Sequence, residues 1–362
     1  MNVLAIIRKQ EDLRTESEIR FCFNILVKSS LPITKIFKLE DFPDFNQRLT
    51  YLNELSKSRL FAWDWCPFRY KIEKILKMKA NPRDLHENDI MRVGSNLHLI
   101  DQLFWERCPK DIFMQNIKNL NQDIYAIYFD LVLEELVKVY DVIFTNENIN
   151  DYLNPDEFEY INAFCELETK RITAIFAEKG QTMKTINKYV YPFITEMAIE
   201  NWDNHLIGII DRGDILTNDA QALVEYKYGK PKYWDGSWKE AAIKKELAFY
   251  NLLVQGKLVY CVKQNDKGED YCVLLKDELG FEPKFYYGSM IFFQDIENTG
   301  QLFKIKDSTM RAVQRMIDNY WYSLDKGIFP PKPNNSCYEW CPFFTGICEH
   351  NRCWKEIDWS VE

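Results

Sequence analysis

Glycine and proline are scarce in this chain, at 13 each in 362 residues. No internal repeat or low-complexity tract is visible, which excludes repeat and biased-composition architectures. No apolar run approaches the ~18 residues of a membrane-spanning helix, so no membrane partner is expected. The opening "MNVLAIIRKQ" is too short and too soon charged for a secretory leader. A cytoplasmic location is therefore expected. Ten cysteines in a reducing compartment are metal ligands or buried apolar groups rather than disulfides.

What the chain does have is apolar and aromatic mass. It is 46% hydrophobic and 15% aromatic, enough for a sizeable core. Its length allows two domains or one elaborated domain. The net charge of −9 argues at first against nucleic acid, but the charge is unevenly spread. Residues 111–166 hold 12 acidic and 2 basic side chains, and the rest of the chain sits at +1. Residues 57–83 hold 8 basic and 2 acidic side chains, and residues 227–245 hold 6 and 2. A phosphate backbone responds to such local patches rather than to net charge. Ordinary solvated helix faces would give the same count.

The pattern divides the chain into five parts. Residues 1–50 read as an α/β lead-in, with the apolar strand "VLAII" and a helix near "SEIRFCFNILVKS". Residues 56–107 carry two helices, the first over 56–79 and capped by Ser56 or Ser58, the second over 88–107. Residues 108–185 are an acidic helical block, read as an insertion, with Asn154-Pro155 starting its second long helix. From 186 to 330 strands dominate: "INKYVYPFITEMAI", "HLIGIIDRGDIL", "ALVEYKYG", "KLVYCVKQ", "YCVLLK" and "KFYYGSMIFFQD", with helices over 238–256 and 308–326. Residues 331–362 form a cysteine-rich tail. Strands flanked by helices give an α/β or α+β fold.

In "ALVEYKYG" the strand period puts Glu225 and Lys227 on one face and Val224 and Tyr226 on the other. Asp211, in "GIIDRGD" on the preceding strand, can come beside Glu225 if the two strands pair. Two close carboxylates repel unless a cation sits between them, and oxygen ligands suit Mg²⁺ or Mn²⁺. Lys227 could then orient a water or neutralise charge on a phosphorus centre. A surface ion pair is the plainer reading of Glu225-Tyr226-Lys227 in isolation. Two neighbours add to it. "VGSNLHLIDQ" places His98 one helical turn after Gly94, and "KKELAFYNLL" puts Glu246 and Tyr250 on one helical face.

The tail offers Cys337, Cys341 and Cys348, with Cys353 shortly after, and "WDWCPFRY" offers Cys66 far upstream. Two readings stay open. Cys66 with Cys337, Cys341 and Cys348 would hold a 4Fe–4S cluster; Cys337, Cys341, Cys348 and Cys353 would hold Zn²⁺. Cys22, Cys108, Cys165, Cys261 and Cys272 read as core or incidental.

In this order the motifs resemble the RecB-like nucleases of the PD-(D/E)xK superfamily. They are most similar to the iron–sulfur branch containing CRISPR-associated RecB-like exonucleases and the AddB nuclease domain. "SKSRLFAWDWCPFRY" resembles the helix with the first cluster cysteine, "VGSNLH" the G-x-x-x-H element, and "GIIDRGDI" the G-x-I-D strand. "VEYKYG" resembles the (D/E)-x-K strand, "ELAFY" the Q-x-x-x-Y element with Glu246 in place of glutamine, and "FPPKPNNSCYEWCPFFTGIC" the closing cysteine triad. The resemblance covers residues 56–107 and 190–350.

The resemblance implies a restriction-endonuclease-like core and a deoxyribonuclease, an exonuclease acting on DNA ends or single strands. His98, Asp211, Glu225 and the Tyr226 carbonyl would ligate Mg²⁺ or Mn²⁺. Lys227 would orient the attacking water, with Tyr250 and Glu246 lining the channel. A structural 4Fe–4S cluster would sit on Cys66, Cys337, Cys341 and Cys348. Protein partners in a DNA-processing complex are implied as well. Glu196 is a loose match to a further family carboxylate. The triad's gaps are one residue longer than the commonest form, which keeps Cys353 as a rival ligand. Glu246 and the acidic helices leave a second class open, a binding or assembly subunit that retains fold and cluster. A zinc-binding structural protein is a third.

Overall fold

The computed structural model describes residues 54–76, 85–143, 148–153, 155–227, 229–230, 239–265, 267–292 and 301–332, together with Cys337, Cys341 and Cys348. The expected lead-in over 1–50 lies outside these residues, as does Cys353. The chain divides into two compact units, Leu85–Val313 and a second made of Met1–Asp84 with Gln314–Glu362.

The larger unit is built on a mixed sheet. Its strands are β1 (Ile194–Asn201), β2 (Leu206–Ile215), β3 (Gln221–Lys227), β4 (Val259–Gln264), β5 (Asp270–Leu274), β6 (Phe285–Phe292) and β7 (Phe303–Lys304), in the spatial order β5-β4-β1-β2-β3-β6-β7. All neighbours pair antiparallel except β3 and β6, which run parallel from Gln221↔Phe285 to Lys227↔Phe292. A parallel pair needs a crossover, and the chain between β3 and β6 includes a helix over Glu240–Leu253. With helices packed on a mixed sheet, this is a restriction-endonuclease-like α/β core. "INKYV" was expected in a strand; instead Ile186–Val190 forms a single wide helical turn and the strand starts at Ile194. Ile186 and Val190 are fully buried at i, i+4, a spacing that suits a helical face as well as an apolar strand.

Four helices position the site. They are α1 (Leu85–Arg107), α2 (Leu120–Tyr140), α3 (Pro155–Lys179) and α4 (Glu240–Leu253). Helices α1 to α3 share one core with Val224, Tyr226 and Ile291 of the sheet. Its centre is aromatic: Phe104, Tyr128 and Phe164 are buried and in ring contact. Helix α4 lies close against the sheet because glycine lets it. A Cβ on Gly208 would sit 3.0 Å from Leu253, and one on Gly288 would sit 2.8 Å from Leu247. The C-terminal carbonyls of α4 have no partner inside the helix. Buried Asn201 of β1 supplies one, its Nδ2 donating to the carbonyls of Leu252, Leu253 and Gln255.

In the smaller unit, Ser56 caps the helix Lys57–Trp65 by accepting from Arg59 N–H. The expected continuous helix over 56–79 is broken at Cys66, whose backbone is extended (φ −161°, ψ 105°). A residue before proline is driven out of the helical region, and Pro67 follows. The chain resumes as Pro67–Tyr70 and the wide turn Lys71–Ile75. Tyr70 shares a buried 2.8 Å hydrogen bond with Tyr320, from the helix Asp307–Lys326.

Candidate active site

His98 stands on α1 one turn after Gly94. With Ser95, Leu99, Gln102 and Glu196 they line an open cleft of about 490 Å³. The missing side chain at Gly94 keeps this face of the helix clear. Glu196 reaches the same place from β1, and Asp211 from β2. The pairings Thr195↔Arg212 and Met197↔Ile210 bracket these two carboxylates, so they lie opposite each other across the strand pair. His98 Nδ1 lies 2.9 Å from Glu196 Oε1 and 3.6 Å from Asp211 Oδ1. Glu196 holds φ at 39°, in the left-handed region that a non-glycine residue rarely adopts inside a strand. Such strain costs on the order of 1–3 kcal/mol and collects at functional sites.

Beside this trio, β3 delivers its two charged side chains. Lys227 Nζ is 2.5 Å from Glu225 Oε1 and 3.5 Å from Glu246 Oε2 on α4. The Tyr250 hydroxyl, one turn beyond Glu246, donates to Glu225 Oε1 at 3.3 Å. The Tyr226 N–H donates to Asp211 Oδ2 at 2.8 Å, which ties β3 to β2 at the carboxylates. His98, Asp211, Glu225, Lys227, Glu246 and Tyr250, chosen from sequence, therefore come together in one place. Tyr226 also contributes its hydroxyl, which accepts from Arg212 within the helical core.

Among the described residues, the carboxylates of this site shift the groups around them upward. Burial raises the Asp211 carboxyl well above the usual carboxylate range, and the nearby charges of Glu225 and Glu196 add to it. Burial opposes charge on His98, yet the hydrogen bond to Glu196 and the charges of Asp211, Glu196 and Asp101 outweigh it and raise the imidazole to about 9. Burial and Glu225 likewise hold the Tyr250 phenol well above its normal value.

His98, Glu196 and Asp211 place one ligand atom each within 4.8 Å of one another. One imidazole and two carboxylates form a hard donor set suited to Mg²⁺ or Mn²⁺. A cation here would offset both the burial and the neighbouring carboxylates that raise Asp211. The residues fit a divalent metal.

Residues 54–349 match the family model of the PD-(D/E)XK nuclease superfamily. The chain belongs to that superfamily. PD-(D/E)XK proteins are metal-dependent nucleases, and the matched span contains Asp211, Glu225 and Lys227. A comparison with curated proteins finds no match. No helix among the described residues is long and apolar enough to cross a membrane.

Sequence reasoning undervalued Glu196. The usable signal was its place on a strand next to the aspartate strand, readable only once the register was known. It also passed over Asp101, Glu168, Arg212 and Asp214, all buried charged residues packed behind the site. Two of them were visible as a conflict, since "DRGD" puts an arginine and a second aspartate into an apolar strand.

The candidate cluster cysteines lie in the smaller unit. Cys66 and Cys337 are buried, and Cys341 and Cys348 are half-buried. The Cys341 N–H donates to the Cys337 carbonyl, so these two lie one helical turn apart. Cys108 and Cys165 differ: burial pushes each thiol up to about 12, the mark of inert core cysteines. Two cations of the basic stretch 57–83 are taken up within the smaller unit. Arg69 pairs with Glu73 and lies over Trp65, and Lys71 is buried over Phe329. Burial lowers the Lys71 ammonium to about 8.

Proposed function

We propose that the protein is a metal-dependent deoxyribonuclease acting on DNA ends or single strands, an exonuclease of the RecB-like, iron–sulfur type found among CRISPR-associated nucleases. The observation that carries this reading is the meeting of His98, Glu196 and Asp211 from three separate elements, beside the Glu225–Lys227 pair. Structural ion pairs do not need a third carboxylate held in a strained backbone.

In this reading His98, Glu196, Asp211 and Glu225, with the Tyr226 carbonyl, hold one or two Mg²⁺ or Mn²⁺ ions. The metal supplies Lewis acidity toward a phosphoryl oxygen and a lowered pKa for a bound water. Lys227, half-exposed beside Glu225, orients the water and meets negative charge developing on phosphorus. Tyr250 holds the Glu225 carboxylate, and Glu246 holds Lys227 from the other side. Cys66, Cys337, Cys341 and Cys348 carry a structural 4Fe–4S cluster, with Cys353 as the rival fourth ligand. The domain division at 56–107, 108–185, 186–330 and 331–362, a cytoplasmic location and partners in a DNA-processing complex belong to the same reading.

The test is Mn²⁺-dependent degradation of end-labelled single-stranded DNA by anaerobically purified protein, with Lys227→Ala beside it. Release of labelled nucleotides by the wild type alone is the expected result. Intact DNA with a folded, iron-containing wild type would hand the chain to the binding-subunit class. Iron and sulfide analysis of the same preparation, repeated on Cys66→Ser, separates the cluster from a zinc site. Zinc in place of iron sinks the cluster assignment and leaves the nuclease reading standing.

A further inference from the structure

Two sets of buried polar contacts run from α2 and α3 to the residues next to the metal-site ligands. The first involves Asp101, which is 1% exposed and three residues after His98 on α1, so it shares that helical face. Its Oδ1 accepts from the Tyr128 hydroxyl of α2 at 2.8 Å, and its Oδ2 accepts from the Tyr160 hydroxyl of α3 at 2.5 Å. The second involves Arg212, the residue after Asp211 and also 1% exposed. Its guanidinium donates to Glu168 of α3 at 2.6 Å, to both oxygens of Asp214 at 2.9 Å, and to the Tyr226 hydroxyl at 3.0 Å. Tyr226 in turn is the residue after Glu225, gives its N–H to Asp211, and sets its ring edge-on to the His98 ring at 6.1 Å.

Holding α2 and α3 in place does not require these groups, because an apolar core would do that at least as well. What they share is their address. Each contact ends one residue from Asp211 or Glu225, or one turn from His98. We propose that α2 and α3 form the rear support of the metal site, with Tyr128, Tyr160 and Glu168 as positioning residues that hold His98 and Asp211 in ligating geometry. This rests on the reading that His98 and Asp211 bind the divalent cation. It gives the acidic helices a task inside the catalytic unit rather than over the DNA channel.

The experiment measures Mn²⁺ binding to the full chain from the loss of the free-ion signal in electron paramagnetic resonance, with thermal melts as the folding control. Tyr128→Phe/Tyr160→Phe keeps both rings and removes both hydroxyls. Binding roughly 10-fold weaker is expected, the usual consequence of losing partners behind a ligand, with the KM for DNA unchanged. Phe164→Leu thins the same core without touching a polar contact. It should lower the melting temperature and leave Mn²⁺ affinity alone. Wild-type affinity in the folded double variant overturns the proposal, as does an equal loss in Phe164→Leu. Should the double variant fail to fold, Tyr160→Phe is read by the same criterion. A wild type that binds Mn²⁺ but leaves DNA intact refutes the nuclease reading alone, since the support is still judged on binding. A wild type that binds no Mn²⁺ refutes both.

Discussion

The strand pair β2–β3 carries charge in two directions, and the two groups are built on opposite rules. Behind the pair, Arg212 meets Glu168, Asp214 and Tyr226 in near-complete burial, each charge answered by hydrogen bonds at 2.6–3.0 Å. Arg171 of α3 donates to Glu168 as well and spends its remaining donors on the carbonyls of Tyr189 and Val190. Burial works against the Glu168 carboxylate, yet the two arginines hold its pKa below normal. In front, Asp211, Glu225 and Glu196 gather with His98 and Lys227 beside them, and burial with the neighbouring carboxylates pushes Asp211 strongly upward. The rear group is complete as it stands. The front group brings three ligand atoms within 4.8 Å of one another, a set that could hold a cation, and that difference separates a structural charge cluster from a candidate site.

Substitutions should fall into the same two classes. The largest effect is expected from Lys227→Ala and Asp211→Asn, each lowering DNA degradation by about 10²–10³-fold or more. Asp211→Asn should melt no lower than wild type, because it removes one of three repelling carboxylates. A large fall in its melting temperature would erase the distinction between front and rear. Next is Arg212→Met. It removes the hydrogen-bond partner of buried Asp214 and one of the two arginines at buried Glu168, and urea denaturation should show a loss of about 3–5 kcal/mol. A loss below ~1 kcal/mol would mean that the buried carboxylates do not depend on Arg212.

A smaller effect sharpens the comparison through pH. Burial raises the Asp101 carboxyl from an ordinary 3.8 to about 7, against the pull of the Tyr160 and Tyr128 hydroxyls. Between these values the folded chain keeps a proton that the unfolded chain has lost. The stability it contributes is full below the lower value, declines as pH rises toward about 7, and is flat beyond. Asp101→Asn should flatten that slope in urea midpoints taken from pH 4.5 to 8. An unchanged slope would place the titration elsewhere. The smallest effect is expected at the rim: Glu246→Gln restores an amide beside Lys227 and should alter the KM for DNA by no more than about 3-fold. A larger change would make Glu246 part of the substrate path.

The front of the site was legible in the sequence because its residues sit in short local patterns. Glu225 and Lys227 are two apart on a strand, and His98 is four from a glycine on a helix. These periods survive folding. The rear was not legible because its partners are far apart in the chain. Nothing local ties Glu168 to Arg212, 44 residues on, or Asp101 to Tyr160, 59 residues on. Glu196 fell between the two cases, since it needs the β1–β2 register and an unusual backbone angle to reach the others. The break at Cys66–Pro67 was there to be read, but the helical periodicity on either side hid it. The strand expected at "INKYV" failed because a short apolar run fits a helical turn equally well.

The glycines under α4 carry one further consequence. Gly208 and Gly288 set the distance between that helix and the sheet, and Tyr250 and Glu246 hang from it over Glu225 and Lys227. The spacing of the reactive groups is thus written partly in two residues with no side chain. A single methyl at either one would act as a shim, lifting the helix and carrying Tyr250 and Glu246 away from Glu225 and Lys227 by a fraction of an ångström, with no named site residue changed. The molecule keeps its tolerances where an inventory of functional groups would find nothing to record.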